Sequence, residues 1–399
     1  MERICKSLVF CLIGCLVLFF SGISPAAEKN PYTLGMVVSV TGMGSFLGDP
    51  QKKTAEMLVE RFNNTGGING HPLKVIIYDD ESDDTKARLL ASKLIKTENV
   101  LAIFGPSLTG TSMALVDLAQ SYKIPLISLA ASWQIATDPK TNKERYWVFK
   151  IPANDTHCVE NIYNFLKYKG INKIAILADN LAYGSSGREA LIRMAPNYGM
   201  TIAADEKFGP KDVDMSVQLT RIKASEARVI IGWTAGPAQV TIVRNWRDLG
   251  MTNIPFIQSF AFGNRRNIKL AAGAAEGVYT PVTASTIARL LPDTHIQKKV
   301  AMEYTLAFEP KYGEPVSLYG GNAWDAIMLL VSSLKEVGEK HTSLEATRKA
   351  IRDYLEVKKG YIGQHGVFNF SPEHHVGLNK DAYEMVVVKG DDFALVPIK

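Results

Sequence analysis

Apolar and polar residues alternate along the chain in a pattern that predicts strands and helices in turn. Short runs rich in Val, Ile and Phe predict strands at 33–40, 73–78, 100–104 and 125–128. The segments between them are predicted to be helical, at 50–64, 84–97 and 109–122. This order is typical of a parallel sheet covered by helices, so we predict an α/β protein.

The same alternation starts again after Lys150, which predicts a second unit of the same kind. Its predicted helices are 155–168, 183–198, 214–224 and 237–249, and its predicted strands are 173–178, 200–204, 228–232 and 255–258. A further stretch, 295–353, is predicted to be helical, followed by strands at 366–370 and 383–388. The chain is thus predicted to form two doubly wound, parallel-sheet lobes. Ligands of such sheets bind beyond the carboxyl ends of the strands.

The N-terminus has the arrangement of a secretory signal peptide. A basic start precedes an apolar run over 8–20, and small residues stand ahead of Glu28. We predict that 1–27 is removed and that the remainder is exported to the periplasm. One alternative is an uncleaved membrane anchor, for which the run is short. Another is a lipoprotein anchored at Cys15, although the apolar run continues past this cysteine.

Charge and cysteine content narrow the possible partners. The chain has 45 basic and 40 acidic residues, a net charge of +5, and no dense Lys/Arg block. We therefore expect no nucleic-acid partner. Three of the four cysteines fall within 1–27, so Cys158 has no internal disulfide partner.

The sequence lacks three motifs that are typical of enzymes with this kind of fold. There is no Gly-x-Ser-x-Gly elbow, no phosphate-binding loop and no dinucleotide fingerprint after the first strand. His374 and His375 are adjacent in sequence, and adjacent side chains seldom converge on one metal ion. We expect no catalysis, no cofactor and no metal, although doubly wound folds also serve as enzymes.

Several short motifs follow one another in a distinctive order. They lie at 62–70 (FNNTGGING), 104–110 (FGPSLTG), 127–132 (ISLAAS), 182–184 (AYG) and 275–279 (AEGVY). In this order and spacing they resemble the periplasmic leucine/isoleucine/valine-binding protein family, the type I solute-binding fold of branched-chain amino acid ABC transporters. The resemblance covers essentially the whole chain after 27.

The resemblance implies an architecture and a partner. Three crossovers would join a first lobe, 31–150 plus 282–357, to a second lobe, 151–281 plus 358–399. The ligand would lie in the cleft between the lobes, and an ABC transporter permease in the inner membrane would detect closure of the cleft. A monomer suffices for this task, so we expect a monomer.

The predicted ligand site begins with a cradle for a carboxylate. Backbone N–H groups at a helix start bind an anion without adding side-chain charge, and Thr109 and Gly110 stand at such a start. In the family that it resembles, a hydroxyl at the Thr109 position and the Ala131–Ser132 segment hold the ligand's carboxylate. Thr109 could instead merely cap its helix.

The far side of the predicted site is apolar. The resemblance places Tyr183 against the ligand from the second lobe, and it aligns Phe260 with a residue that is normally glutamate in amino-acid-binding relatives. That glutamate pairs with the ligand's ammonium group, which would be costly to bury beside Phe260. The predicted ligand is therefore a small organic acid with an aromatic or branched apolar body and no α-amino group.

Further candidate residues stand where loops of the cleft begin. They are Leu47, Trp133, Trp233 and Phe262. Each of them, taken alone, could instead be a core residue. Two other functions stay open at this point: binding of branched-chain or other amino acids for the same class of transporter, and ligand sensing for a membrane sensor.

Overall fold

The computed structural model describes residues 29–396. The predicted signal peptide, including Cys15, lies outside the described residues. The strands are β1 (Tyr32–Val38), β2 (Leu73–Asp79), β3 (Ile103–Phe104), β4 (Leu126–Ser128), β5 (Thr137–Asp138), β6 (Lys143–Glu144), β7 (Val148–Lys150), β8 (Lys173–Asp179), β9 (Thr201–Phe208), β10 (Val229–Trp233), β11 (Phe256–Gln258), β12 (Tyr279–Val282), β13 (Tyr361–Ile362), β14 (Val367–Phe368), β15 (Glu384–Lys389) and β16 (Asp392–Leu395). The α-helices are α1 (Ser45–Asn64), α2 (Asp84–Lys96), α3 (Thr109–Ser121), α4 (Asp155–Tyr168), α5 (Ala182–Met194), α6 (Ser216–Lys223), α7 (Ala238–Asp248), α8 (Arg265–Ala271), α9 (Lys298–Tyr312), α10 (Leu318–Val337) and α11 (Leu344–Val357).

The first lobe is built on a five-stranded parallel sheet in the order β2-β1-β3-β4-β7. Its inner strands are buried almost without interruption, as expected for a sheet with helices on both faces. The strand order reverses its direction between β1 and β3. In open α/β sheets, such a switch point opens a crevice beyond the carboxyl ends of the strands.

The second lobe repeats this topology and then extends it. Five parallel strands lie in the order β9-β8-β10-β11-β12, and β15 and β16 continue the sheet beyond β12. The two added strands are antiparallel to their neighbours. The tight turn around Gly390 accounts for the pairing of β15 with β16, because a connection this short can join only antiparallel strands.

Three crossovers join the two lobes. The first, 151–154, runs from β7 to α4. The second, between β12 and α9, includes the 3-10 turn Ala284–Ile287, whose buried side chains join the core of the second lobe. The third, between α11 and β15, carries Phe370, whose ring centroid lies 5.8 Å from that of Phe149 in β7. The second crossover thus packs on the second lobe, and the third crossover packs on the first lobe. The lobe boundaries at 282 and 358 stay a prediction.

Most predicted elements agree with the structure, and the differences have local causes. Helix α1 begins at Ser45 rather than at 50, and its first turns lie against the end of β1. Gly48 permits this approach, since a Cβ there would stand 2.0 Å from the carbonyl oxygen of Ser39. The sequence did not predict β7, β12, β16 and α8, which are short elements.

Within residues 29–396, no helix combines the length and the apolar character that crossing a bilayer requires.

Candidate functional site

The carboxyl ends of the two sheets face each other, and a space lies between them. We call it the inner cavity; it has an empty volume of about 390 Å³. The first lobe contributes loops that follow β1, β3 and β4, and the second contributes residues that follow β8, β10 and β11. Its lining residues are Leu47, Ser107, Leu108, Thr109, Leu129, Ala130, Ala131, Pro152, Tyr183, Ala235, Phe260, Ala261, Tyr319 and Asn322.

The start of helix α3 brings hydrogen-bond donors to the first-lobe wall of the inner cavity. The N-cap residue is Leu108, so Thr109 is the first residue of the helix and does not cap it. Within residues 29–396 the Thr109 hydroxyl has no protein hydrogen bond, while the neighbouring Ser107 hydroxyl donates to Gln51 Oε1 at 2.6 Å. The first N–H groups of an α-helix also lack partners within the helix. Thr109 is thus free to hold an anion.

The segment after β4 contributes Ala131 but not Ser132 to the inner cavity. The Ala131 carbonyl accepts a hydrogen bond from Asp155 N at 3.3 Å, which fixes the orientation of this segment. Ser132 is fully buried, and its hydroxyl lies 2.8 Å from Ser186 Oγ in the second lobe. The Ser132 side chain therefore binds the second lobe and does not line the cavity.

Aromatic rings close the opposite side of the inner cavity. The Tyr183 ring meets Phe260 edge-on, with centroids 6.0 Å apart, and Phe260 lies 5.4 Å from the ring of Tyr383. Tyr319 adds a third ring to the wall, and its hydroxyl donates to the Ala261 carbonyl at 2.9 Å. Tyr183 Oη is buried and has no hydrogen-bond partner within the described residues. This wall is apolar apart from that hydroxyl.

Three of the candidate aromatic residues pack elsewhere. Trp233 is fully buried behind Tyr183 and fills the space beside Gly187, where an added Cβ would stand 2.0 Å from the indole ring. Phe262 is fully buried in the core of the second lobe. Trp133 lies under the guanidinium of Arg193 at the lobe interface, 4.9 Å from ring centroid to Cζ. None of the three lines the inner cavity.

A wider space, which we call the outer cleft, lies beyond Thr109 and Tyr183. It has an empty volume of about 1860 Å³ and is lined by Gly110 together with acidic residues from both lobes, among them Asp84 and Asp179. A Cβ at Gly110 would stand 2.7 Å from Asp84 Oδ1. Gly110 therefore lies beside a carboxylate in the outer cleft, whereas Thr109 reaches both spaces.

Helix α10 supplies residues of the inner cavity that the sequence did not predict. Tyr319 and Asn322 stand on its first turns, and Asn322 Nδ2 donates to the Leu129 carbonyl at 3.1 Å. Because α10 lies far along the chain from the cleft loops, no local sequence signal marks these residues. Within residues 29–396, no cluster of His, Cys, Asp and Glu side chains could hold a metal ion.

A buried lysine ties the first crossover to the first sheet. Lys150 ends β7 and is fully buried, and its Nζ donates to the Pro152 carbonyl at 2.6 Å and to Asn154 Oδ1 at 2.9 Å. Burial lowers the pKa of Lys150 to about 7, although the charges of Asp155 and Glu144 oppose this shift.

This lysine should make stability depend on pH. Between about pH 7 and 10 the unfolded chain holds a proton on Lys150 that the folded chain has lost, so the free energy of unfolding should rise with pH. The free energy of unfolding of the wild type, minus that of Lys150→Met, should increase by more than about 1 kcal/mol from pH 7 to pH 10. Urea titrations at several pH values measure it, and a flat difference would contradict a lowered pKa.

Comparison with known proteins gives a consistent set of matches. A family model described as "Periplasmic binding protein" matches residues 31–392. A leucine-, isoleucine-, valine-, threonine- and alanine-binding protein of Pseudomonas aeruginosa is 22% identical over 86% of this chain and 88% of its own length. An extracellular ligand-binding receptor from Rhodopseudomonas palustris HaA2 superimposes with a TM-score of 0.85 and 26% identity, over 92% of this chain and 100% of the other.

A third similar structure holds a ligand. It is the branched-chain amino acid transporter substrate-binding protein LivJ from Streptococcus pneumoniae in complex with isoleucine, with a TM-score of 0.77 and 22% identity. The match covers 91% of this chain and 97% of the other. At this identity the likeness concerns the fold alone, which is the two-lobed, type I binding-protein fold that the sequence predicted.

Proposed function

This chain belongs to the periplasmic binding protein family, and from this premise we propose that it binds a small carboxylate with an aromatic or branched apolar body and no α-amino group. It is a binding protein and not an enzyme. The proposed ligand would be released to the permease of an ABC importer in the inner membrane, after export of the protein to the periplasm. The family match over residues 31–392 supports a role of this chain in binding a ligand.

The observation that carries the proposal is the chemistry of the inner cavity. Among the described residues that line it, none is Asp, Glu, Lys, Arg or His. A buried ammonium group would find no carboxylate there, and leaving it unpaired would cost several kcal/mol. Phe260 occupies the position at which the resemblance expects a glutamate in amino-acid-binding relatives, and its ring is only 4% exposed.

The carboxylate end of the ligand still needs donors, and the first lobe can supply them without a cation. The hydroxyl of Thr109, the N–H groups at the start of α3 and the neighbouring Ala131 segment border the inner cavity. The rings of Tyr183, Phe260 and Tyr319 would then enclose the apolar body.

A second candidate function is binding of branched-chain or other amino acids. The relative from Pseudomonas aeruginosa favours this function, because its name says that it binds leucine, isoleucine, valine, threonine and alanine. The uncharged cavity is the observation against it.

Matched pairs of compounds test the proposal by isothermal titration calorimetry. Each acid is compared with the amino acid of the same carbon skeleton: 4-methylpentanoate with leucine, and 3-phenylpropanoate with phenylalanine. We expect at least one acid to bind more than about tenfold tighter than its partner, because only the amino acid must bury an ammonium group. Tighter binding of leucine or phenylalanine would reject the proposed ligand class in favour of amino acids.

In the same titrations, Thr109→Ala should weaken binding of the acid by about 1–3 kcal/mol, since it removes a hydrogen bond to a charged group. Thr109→Ser is the matched control, because it keeps the hydroxyl and should retain most of the affinity. Equal affinities for wild type and Thr109→Ala would place the carboxylate elsewhere.

A further inference from the structure

The loop that follows β4 contacts the second lobe outside the inner cavity. The contact begins at the fully buried Ser132, whose hydroxyl lies 2.8 Å from Ser186 Oγ in helix α5. Ser186 Oγ also donates to the buried carboxylate of Asp155, which in turn accepts from Trp133 N at 3.3 Å. A continuous chain of hydrogen bonds therefore links the first lobe to two helices of the second.

The next two residues of the loop continue the contact toward solvent. The guanidinium of Arg193 stacks over the ring of Trp133, 4.9 Å from its centroid, which is cation–π geometry. Gln134 Nε2 donates to Glu189 Oε2 at 3.2 Å. Both partners come from α5, so three consecutive loop residues each contact one residue of the same helix.

The spacing of the partners explains how one helix meets an extended loop. Ser186, Glu189 and Arg193 are at positions i, i+3 and i+7, which lie on one face of an α-helix. We call this face of α5 together with loop residues 132–134 the clasp. Solvent exposure increases along the clasp: Ser186 is 4% exposed, whereas Glu189 and Arg193 lie exposed at the surface.

None of the clasp side chains lines the inner cavity. These contacts join loop residues 132–134 of the first lobe to α5 of the second lobe without using any residue that lines the inner cavity. We infer that the clasp stabilises the closed arrangement independently of ligand and so sets the affinity for every ligand by the same factor.

The physical basis is a population shift between open and closed lobes. If ligand is held firmly only by the closed form, the apparent dissociation constant equals the intrinsic one divided by the closed fraction. Weakening the clasp lowers that fraction without changing any ligand contact. Affinities should then fall in parallel for chemically different ligands, and the ratio between two ligands should not change.

The experiment uses the double variant Glu189→Ala/Arg193→Ala, which removes the two exposed contacts and spares the buried hydroxyl pair. Small-angle X-ray scattering without ligand should give a larger radius of gyration for the variant than for the wild type. Hydrogen exchange of the peptide that covers 132–134 should also be faster. In titrations with 4-methylpentanoate and 3-phenylpropanoate, the affinity for each should fall about tenfold and by the same factor.

Two controls make the outcome specific. Arg188→Ala changes the same helix, but Arg188 pairs with Asp205 of the second lobe at 2.7 Å and faces away from the clasp, so it should alter none of the readouts. Replacing the Gln134–Glu189 hydrogen bond with an ion pair, in the double variant Gln134→Glu/Glu189→Lys, should retain the wild-type compactness. A double variant as compact as the wild type in the absence of ligand would overturn the inference.

Because scattering and hydrogen exchange need no ligand, this test is independent of the ligand class proposed above. An unequal loss of affinity for the two acids would also count against the clasp, because it would indicate direct ligand contacts. If neither acid binds, the ligand class fails while the scattering result still decides the clasp.

Discussion

Replacing Phe260 with glutamate is expected to reduce the affinity for 4-methylpentanoate and 3-phenylpropanoate by more than about a hundredfold. Phe260 is buried among the rings of Tyr183 and Tyr383 and lines the inner cavity. A carboxylate at this position would face the carboxylate of the ligand in a space with little water, and a juxtaposition of like charges costs several kcal/mol. The same variant should gain affinity for leucine, whose ammonium group would pair with the new carboxylate.

The matched control for this variant is Phe260→Gln, which has the same size as the glutamate variant but no charge. It should weaken acid binding less than Phe260→Glu and should gain no affinity for leucine. Calorimetry of both variants with the two acids and with leucine separates the effect of the added charge from the effect of losing the ring. Unchanged binding of the acids by Phe260→Glu would show that this side chain does not border the ligand.

Replacing Asp155 with alanine is expected to lower the free energy of unfolding by about 3–5 kcal/mol. The Asp155 carboxylate is fully buried at the start of α4, and burial raises its pKa. It accepts hydrogen bonds from Thr156 N at 2.9 Å, from Trp133 N at 3.3 Å and from the Ser186 hydroxyl. Alanine would leave these donors unpaired and would remove the negative charge nearest to the buried Lys150.

Chemical denaturation measures this loss, and Asp155→Asn is its control. The amide oxygen of asparagine can still accept the two backbone hydrogen bonds, and its amino group can donate to Ser186. We therefore expect Asp155→Asn to retain more than half of the stability that alanine loses. If Asp155→Ala unfolds at the wild-type denaturant concentration, the carboxylate does not support the junction between the lobes.

Substitutions at Phe260 and at Asp155 are expected to have different effects. In the proposed function Phe260 selects the ligand of the inner cavity, whereas Asp155 binds the backbone of Ala131 and Trp133. Substitutions at Phe260 should therefore change selectivity, whereas substitutions around Asp155 should change stability and closure.

The sequence alone predicted the two lobes and, among its candidate site residues, five that line the inner cavity. Leu47, Thr109, Ala131, Tyr183 and Phe260 each stand shortly after a predicted strand, and each lines the inner cavity. The physical reason is that the carboxyl ends of parallel strands meet at one edge of each sheet, which groups Leu47, Thr109 and Ala131 in the first lobe and Tyr183 and Phe260 in the second. The two groups meet because these edges of the two lobes face each other.

The direction of individual side chains was decided only by the tertiary structure. Ser132 is the N-cap residue of the 3-10 turn Trp133–Ile135, and its side chain binds Ser186, whereas the preceding Ala131 borders the cavity. Trp233 ends a strand but turns toward Gly187, whose missing side chain leaves room for the indole. Tyr319 and Asn322 reach the cavity because α10 returns to the cleft from far along the chain. Such contacts depend on packing between distant segments, and local patterns of apolar and polar residues carry no information about it.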